Sequence, residues 1–207
     1  MDKQPNDSFF IIEGFKLKIP TEVYKPSDDT YLLIDNLHVK KGEKVLEMGC
    51  GCGIVTLIAA KKAGKVVAVD LNPYAVQTTK ENVKLNGLEG KVEVRIGNLF
   101  QPLNSNEKFD LIIFNPPYLP TSKGNKVGGW LEKAWDGGPN GRKIIDRFID
   151  EVEKFLNKKG RILIVQSTLS NVEKTIQRLT EKRFKVKILS RKNFSFETLI
   201  CFEALKI

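Results

Sequence analysis

Val45-Leu46-Glu47-Met48-Gly49-Cys50-Gly51-Cys52-Gly53, running into the apolar stretch Ile54–Ala60, is the part of the chain that decides its fold. A short apolar strand, a turn of alternating glycines and a buried helix, in that order, form the opening unit of a nucleotide-binding α/β sheet. Gly49, Gly51 and Gly53 let the backbone turn tightly and let a ligand approach without meeting a Cβ. Their spacing is not that of a dinucleotide fold, G-x-G-x-x-G, because Ile54 and Thr56 stand where the last glycine would be needed. A pyrophosphate held on the helix N-terminus is therefore disfavoured, and NAD and FAD with it.

Working outward, a second strand, Val66–Val69, ends in Asp70 with Leu71 beside it. Asp70 falls roughly 20 residues past the first glycine, where an acid hydrogen-bonds ribose hydroxyls. Glu47, directly before the turn, is a second acid and suits a cationic ligand better than a diphosphate. A strand-end acid often does no more than cap a helix; for Asp70 the glycine spacing and the Asn-Pro-Pro-Tyr segment at 115–118 favour the ribose role. A helix is predicted over Pro73–Leu85, closed by Asn86-Gly87. Lys91–Ile96 alternates as an edge strand, followed by Gly97-Asn98-Leu99-Phe100.

The run Phe109–Phe114 reads as a buried strand, and Asn115-Pro116-Pro117-Tyr118 stands at its end. Strand ends are where α/β sheets place ligands. The Asn115 side-chain carbonyl and the Pro116 backbone carbonyl can accept both N–H bonds of one planar –NH2 group. Proline fixes φ and brings no competing N–H, and Tyr118 offers a flat face for an amide or base. Such a tetrad grips an sp2 nitrogen and turns its lone pair toward an electrophile; the plain alternative is a Pro-rich turn.

The rest of the chain completes the sheet. Leu119–Gly141, rich in Gly, Lys and Trp, is read as a substrate-facing flap holding Trp130 and Trp135, with a short helix near Gly129–Ala134. Ile144, Ile145, Phe148, Ile149, Val152, Phe155 and Leu156 follow helical spacing. A fifth strand over Gly160–Gln166 and an amphipathic helix over Asn171–Lys182 come next. Phe184–Leu189 and Glu197–Glu203 close the chain as antiparallel neighbours. At the other end, Phe9–Ile12 and Phe15–Ile19, joined by Glu13-Gly14, form a small hairpin expected over the cofactor edge. The expected organisation is a hairpin extension over 1–22 and one α/β domain over 23–207.

With 207 residues, 41% hydrophobic and 29% charged, the chain fits one globular domain. No apolar run approaches the ~20 residues that cross a bilayer, and no signal-peptide pattern is present, so a cytoplasmic protein without a membrane partner is expected. Cys50, Cys52 and Cys201 make no disulfide framework, and two thiols in the glycine turn without further Cys or His nearby close no zinc site. The three are read as packing residues, and no metal is expected. The only histidine, His38, is placed in a loop beyond a helix. The formal charge of +9 is carried by dispersed lysines, read either as solvated caps or as a basic docking surface for a nucleic-acid or acidic partner.

On these residues the chain resembles class I S-adenosylmethionine-dependent methyltransferases. Within them it resembles the release-factor glutamine N5-methyltransferase family. Glu47–Gly53 is similar to that family's cofactor loop and Asn115–Tyr118 to its catalytic tetrad. The segment Val23-Tyr24-Lys25-Pro26-Ser27-Asp28-Asp29-Thr30-Tyr31-Leu32-Leu33 is similar to the N-terminal segment of the eukaryotic and archaeal branch. Trp135–Arg142 matches the same branch, whereas the bacterial branch carries an additional N-terminal helical domain. The resemblance implies a Rossmann-like fold with a seven-stranded, mostly parallel sheet ending in an antiparallel hairpin, helices on both faces. It implies S-adenosylmethionine as cofactor, held by Thr30, Glu47, Gly49, Gly51, Gly53, Asp70, Leu71, Asn98, Leu99 and Asn115. Asn98 stands where the family commonly has an Asp accepting from the adenine amino group. It implies a release factor as protein substrate, and a small zinc-binding activator protein as a partner on an edge strand, for which Val92–Ile96 is the candidate. A second reading keeps the fold and gives the tetrad an exocyclic amine of adenine or guanine in RNA or DNA. A third, a binding module without catalysis, conflicts with the intact Glu47, Asp70 and Asn115–Tyr118 set.

Overall fold

The structure, a computed structural model, describes residues 9–121 and 128–207. Residues 1–8 of the expected N-terminal extension and 122–127 of the expected flap lie outside them. Along the chain, β1 (Phe10–Ile12) and β2 (Phe15–Leu17) form a hairpin, followed by α1 (Asp28–Asp35). Then come β3 (Lys44–Met48), α2 (Ile54–Ala60), β4 (Lys65–Asp70), α3 (Pro73–Leu85) and β5 (Val92–Ile96). The second half holds β6 (Phe109–Phe114), the short α4 (Gly129–Glu132), α5 (Lys143–Glu151), a 3-10 turn (Val152–Phe155) and β7 (Leu156–Ser167). It closes with α6 (Val172–Glu181), β8 (Phe184–Asn193) and β9 (Thr198–Lys206).

The main sheet has seven strands in the order β5-β4-β3-β6-β7-β9-β8. The pairs from β5 to β7 are parallel, and β9 runs antiparallel to both β7 and β8. The chain steps outward from β3 to β5 and returns to lay β6 on the other side of β3. The crevice where strand order reverses therefore opens at the C-terminal ends of β3 and β6, where such sheets bind ligands. Met48 pairs with Phe114, so Gly49 and Asn115 leave the sheet side by side.

Burial explains why these runs are strands and helices. Val45, Leu46, Val66, Val67, Phe109, Ile112 and Ile113 are buried, as expected of parallel strands covered on both faces. In α5, Ile145, Phe148 and Ile149 face the core with Val152 just beyond, and Phe148 packs its ring 4.6 Å from that of Phe114. Fully burying each such side chain contributes roughly 1.5–3 kcal/mol.

Two expectations are corrected. Leu156, placed on a helix by its spacing, is the first residue of β7, which starts before Gly160. The early start is accommodated because the β6–β7 register shifts between Phe109 and Leu111, with Lys159 in the left-handed region at φ 66°. The hairpin lies behind the glycine turn instead of over the pocket. Leu17 is buried against the core, and Lys16 and Lys18 exchange backbone bonds with the side chains of Asn86 and Asn82 on α3. The lysines at Lys41, Lys61, Lys62 and Lys91 line a second cavity beside the turns that precede β3, β4 and β5, at the opposite end of the sheet from Gly49 and Asn115.

Candidate active site

A cavity of about 450 Å³ occupies the crevice, within the range of small-molecule sites. Its wall toward β4 is built by loops that directly follow successive strands. After β3, the amides of Gly49 and Cys50 donate to the Val69 carbonyl at 2.7 and 3.1 Å, and the Gly51 amide donates to Asp70 Oδ2 at 2.9 Å. Asp70 Oδ1 accepts from the Asn72 amide at 2.8 Å. Gly49, Gly51 and Gly53 all have positive φ, which only glycine adopts without strain. Gly53 has a second reason: a Cβ there would stand 2.9 Å from Thr79 Cγ2 on α3. Thr79 Oγ1 donates to the Gly51 carbonyl at 3.0 Å and Asn82 Nδ2 to the Cys52 carbonyl at 2.9 Å, so α3 clamps the turn from behind.

Glu47 is buried at the floor and accepts a bond from the Thr56 hydroxyl. Burial pushes its pKa up to about 8, the Thr56 bond opposing the rise and the charge of Asp70 adding to it. Asp70 is also raised by burial, which outweighs the bonds it accepts from the backbone. Two acids sharing a closed pocket repel each other, a situation that a cation between them relieves. Next along, Leu99 takes φ 52°, a left-handed conformation that costs a non-glycine residue on the order of 1–3 kcal/mol and is typical of ligand sites. Burial raises the thiols of Cys50, Cys52 and Cys201, to about 11 for Cys52 and about 12 for Cys201, so all three pack as neutral groups.

The opposite wall is assembled from distant parts of the chain. Asn115 Nδ2 donates at 3.0 Å to Asp29 Oδ2, a carboxylate 86 residues earlier at the start of α1. Asp29, only 6% exposed, also accepts from Tyr24 Oη, from the Thr30 amide and hydroxyl, and from Tyr118 Oη at 3.2 Å. Burial, and then the Asp29 charge, push both phenols well above the usual tyrosine range, so they remain protonated donors. The amide of Asn115 can face a carboxylate only through its nitrogen, which fixes its orientation. Its Oδ1 is buried and has no donor among the described residues. Native proteins rarely leave such an acceptor unpaired except where a ligand or catalytic partner completes it.

The flap is pinned at both ends. The Leu119 amide donates to the Trp135 carbonyl at 3.0 Å and the Gly137 amide to the Leu119 carbonyl at 2.9 Å. Gly141, at φ 70°, lets the strap press on the tetrad, since a Cβ there would lie 2.2 Å from the Tyr118 carbonyl oxygen. Arg142 then locks the strap to the turn after β7, donating from Nη1 to the carbonyls of Ser170 and Asn171 at 2.7 Å each. Trp130 faces the pocket with Lys133 Nζ 3.9 Å over its ring, whereas Trp135 does not line it.

Of the residues picked out from sequence, Thr30, Glu47, Gly49, Gly51, Asp70, Leu71, Asn98, Leu99, Asn115 and Pro117 line the cavity. Gly53, Pro116 and Tyr118 are adjacent but outside its lining: Gly53 serves the contact with α3, and Tyr118 points its hydroxyl at Asp29. Asp29 is the residue sequence reasoning missed. Its only local signal is an acid in the first turn of a helix, which reads as a dipole contact.

Comparison with known proteins agrees with this geometry. The Methyltransferase small domain family matches residues 25–129. A Methanocaldococcus jannaschii protein named for protein N5-glutamine methylation is 46% identical over 197 residues, covering 95% of this chain and 98% of its own. The human methyltransferase HEMK2 is 33% identical over 172 residues, covering 78% and 79%. Among solved structures, the E. cuniculi Mtq2–Trm112 complex, described as responsible for methylation of the eRF1 termination factor, aligns with a TM-score of 0.69 at 24% identity. That alignment covers 90% of this chain and 100% of the other, and supports the fold. The chain belongs to the Methyltransferase small domain family and, within it, to the protein-glutamine N5-methyltransferases related to release-factor methylation.

Proposed function

We propose that this chain transfers a methyl group from S-adenosylmethionine to the side-chain amide nitrogen of a glutamine in a translation release factor. The observation that carries the reading is the Asn115 amide, held by Asp29 through its nitrogen and left with a buried, unpaired acceptor oxygen.

The donor set fits the cofactor. A cationic ligand would favour the ionised forms of Glu47 and Asp70, and Asp70 keeps lone pairs for ribose hydroxyls beyond those used by Gly51 and Asn72. Asn98 and Leu99 would border the adenine, and Thr30 lies at the end nearer the tetrad. When bound, S-adenosylmethionine supplies an activated methyl group, so the protein's task is positioning more than acid–base chemistry. A carboxamide nitrogen is a poor nucleophile because its lone pair is delocalised. Asn115 Oδ1, with the Pro116 carbonyl as second acceptor, would draw on both N–H groups, return density to nitrogen and hold it in line. Positioning of this kind supplies on the order of 7–11 kcal/mol of a barrier, and the same acceptors stabilise positive charge growing on nitrogen. We read Gly53, Pro117 and Tyr118 as the frame that keeps these groups in place.

A small activator protein, zinc-binding in the family resemblance, is proposed for the β5 edge. Among the described residues that strand pairs only with β4, and Ile96, Leu71 and Tyr74 at its C-terminal side are 57%, 45% and 47% exposed. An open edge flanked by apolar side chains invites strand addition. Among the described residues no helix is long and apolar enough to cross a membrane, and a cytoplasmic setting goes with a release-factor substrate. The domain reading of 23–207 as the methyltransferase unit, with 1–22 as an extension, belongs to the same proposal.

The test is methyl transfer from labelled S-adenosylmethionine, with purified release factor and with total tRNA and rRNA, each with and without an activator. Label mapped to a glutamine side chain is the expected result. Label on RNA alone would overturn the substrate while leaving the cofactor site standing.

A further inference from the structure

A carboxamide is the same on every glutamine, so the contact at Asn115 alone cannot choose one residue in one protein. Selectivity has to come from binding outside the reacting group. The rim of the pocket holds a group of side chains that the transfer itself does not use. The β8–β9 turn, residues 194–197, sits at the end of the sheet where the tetrad lies, because β9 runs antiparallel to β7 and Leu199 pairs with Ser167. At its tip Phe196 is 75% exposed, with Phe194 and, on the turn after β7, Leu169 each more than a third exposed. Large apolar side chains clustered on an otherwise solvated turn mark interaction surfaces.

The tip is tied to the acceptor wall on several sides. Glu197 accepts from the Ser167 hydroxyl, and the Thr198 amide donates to Thr168 Oγ1 at 3.0 Å. The turn at 168–170 is in turn locked to the flap strap by Arg142. From the other side, Lys192 Nζ lies 2.8 Å from Asp28, the neighbour of Asp29, and Asn36 Nδ2 donates to Ser190 Oγ at 2.6 Å. The charge of Glu197 is also felt at Tyr118, one of the groups keeping that phenol protonated. Flap strap, β7 turn and hairpin tip are thus one continuous rim beside the tetrad.

Resting on the proposed function, we infer that Phe196, with Phe194 and Leu169, is the docking surface for the protein substrate and grips apolar side chains beside the acceptor glutamine. The patch is aromatic and aliphatic and stands on a hairpin bonded to the turn after β7, which fits a folded protein surface. It supplies affinity for the substrate protein and leaves the chemistry at Asn115 unchanged.

The test compares wild type with Phe196→Ser, and with Phe194→Ser and Leu169→Ser as separate checks, on full-length release factor and on a short glutamine peptide. Phe196→Ser should raise KM for the full-length factor about tenfold or more, the scale of losing one interface anchor. Its kcat, its calorimetric affinity for S-adenosylmethionine and its turnover of the short peptide should match wild type. An unchanged KM in all three variants would overturn the docking surface while wild-type activity upheld the proposed function. Wild type labelling only RNA would overturn both. A wild-type dimer that becomes monomeric in Phe196→Ser, with KM unchanged, would reassign the patch to self-association.

Discussion

The two walls of one pocket are built on opposite plans. The cofactor wall is mostly local: each of its loops follows its own strand, and the bonds of residues 47–53 and 70 run to neighbouring strands or to the helix between them, Asn72 alone reaching back to the Glu22 carbonyl at 2.8 Å. The acceptor wall is long-range: Asp29, Asn115, the flap strap and the turn after β7 meet only in the folded protein. In the cofactor wall the amides of Gly49, Cys50, Gly51 and Asn72 are paired within the protein, whereas the acceptor wall ends in an unpaired oxygen. A site for a common cofactor can be a portable cassette of sequence. A site that activates a weak nucleophile has to be oriented by the whole fold.

That difference can be broken by mutation. Asn115→Ala should lower kcat at least ~100-fold, the scale of losing one preorganised transition-state contact, while calorimetry finds binding of S-adenosylmethionine nearly intact. Asp29→Asn should reduce kcat by on the order of tenfold to a hundredfold by misplacing the Asn115 amide, with cofactor affinity again close to wild type. Gly141→Ala should cost at least ~2 kcal/mol, since it combines a left-handed conformation with a Cβ driven into the Tyr118 carbonyl. A thermal melt should show Tm lowered by roughly 4 °C or more.

A further effect, read in stability alone, belongs to the cofactor wall. Glu47 holds its proton more tightly in the folded chain, with a pKa of about 8 against an ordinary 4.5. The unfolded chain therefore binds fewer protons between those values, and stability falls as pH rises through that window. The contribution is complete below about 4.5 and lost above about 8. Melts of the ligand-free protein across that range should show this decline, and Glu47→Gln should flatten it. An equal slope in both proteins would assign the pH dependence elsewhere.

What could be read from sequence obeys the same division. The strand, glycine turn and helix from Lys44 to Ala60 and the helix Pro73–Leu85 stand where their patterns put them, because local propensity and burial agree there. The tetrad was legible because Asn115-Pro-Pro-Tyr is contiguous. Asp29 was not, since nothing near Ser27–Thr30 points to a partner 86 residues away. Gly53 and Gly141 could be recognised as turn residues, but that each makes room for another part of the chain depends on packing. Leu156 reads as helical because an apolar residue continuing a helical stripe looks the same as one opening a strand.

The central claim is that Asp29 acts through Asn115, and the most direct measurement is a double-mutant cycle on kcat/KM for the release factor. Asp29→Asn, Asn115→Ala and the double variant are compared at saturating S-adenosylmethionine. If the account holds, the double variant is no slower than Asn115→Ala alone, because the carboxylate has nothing left to orient. Losses that multiply would mean that Asp29 serves the reaction independently and would contradict it.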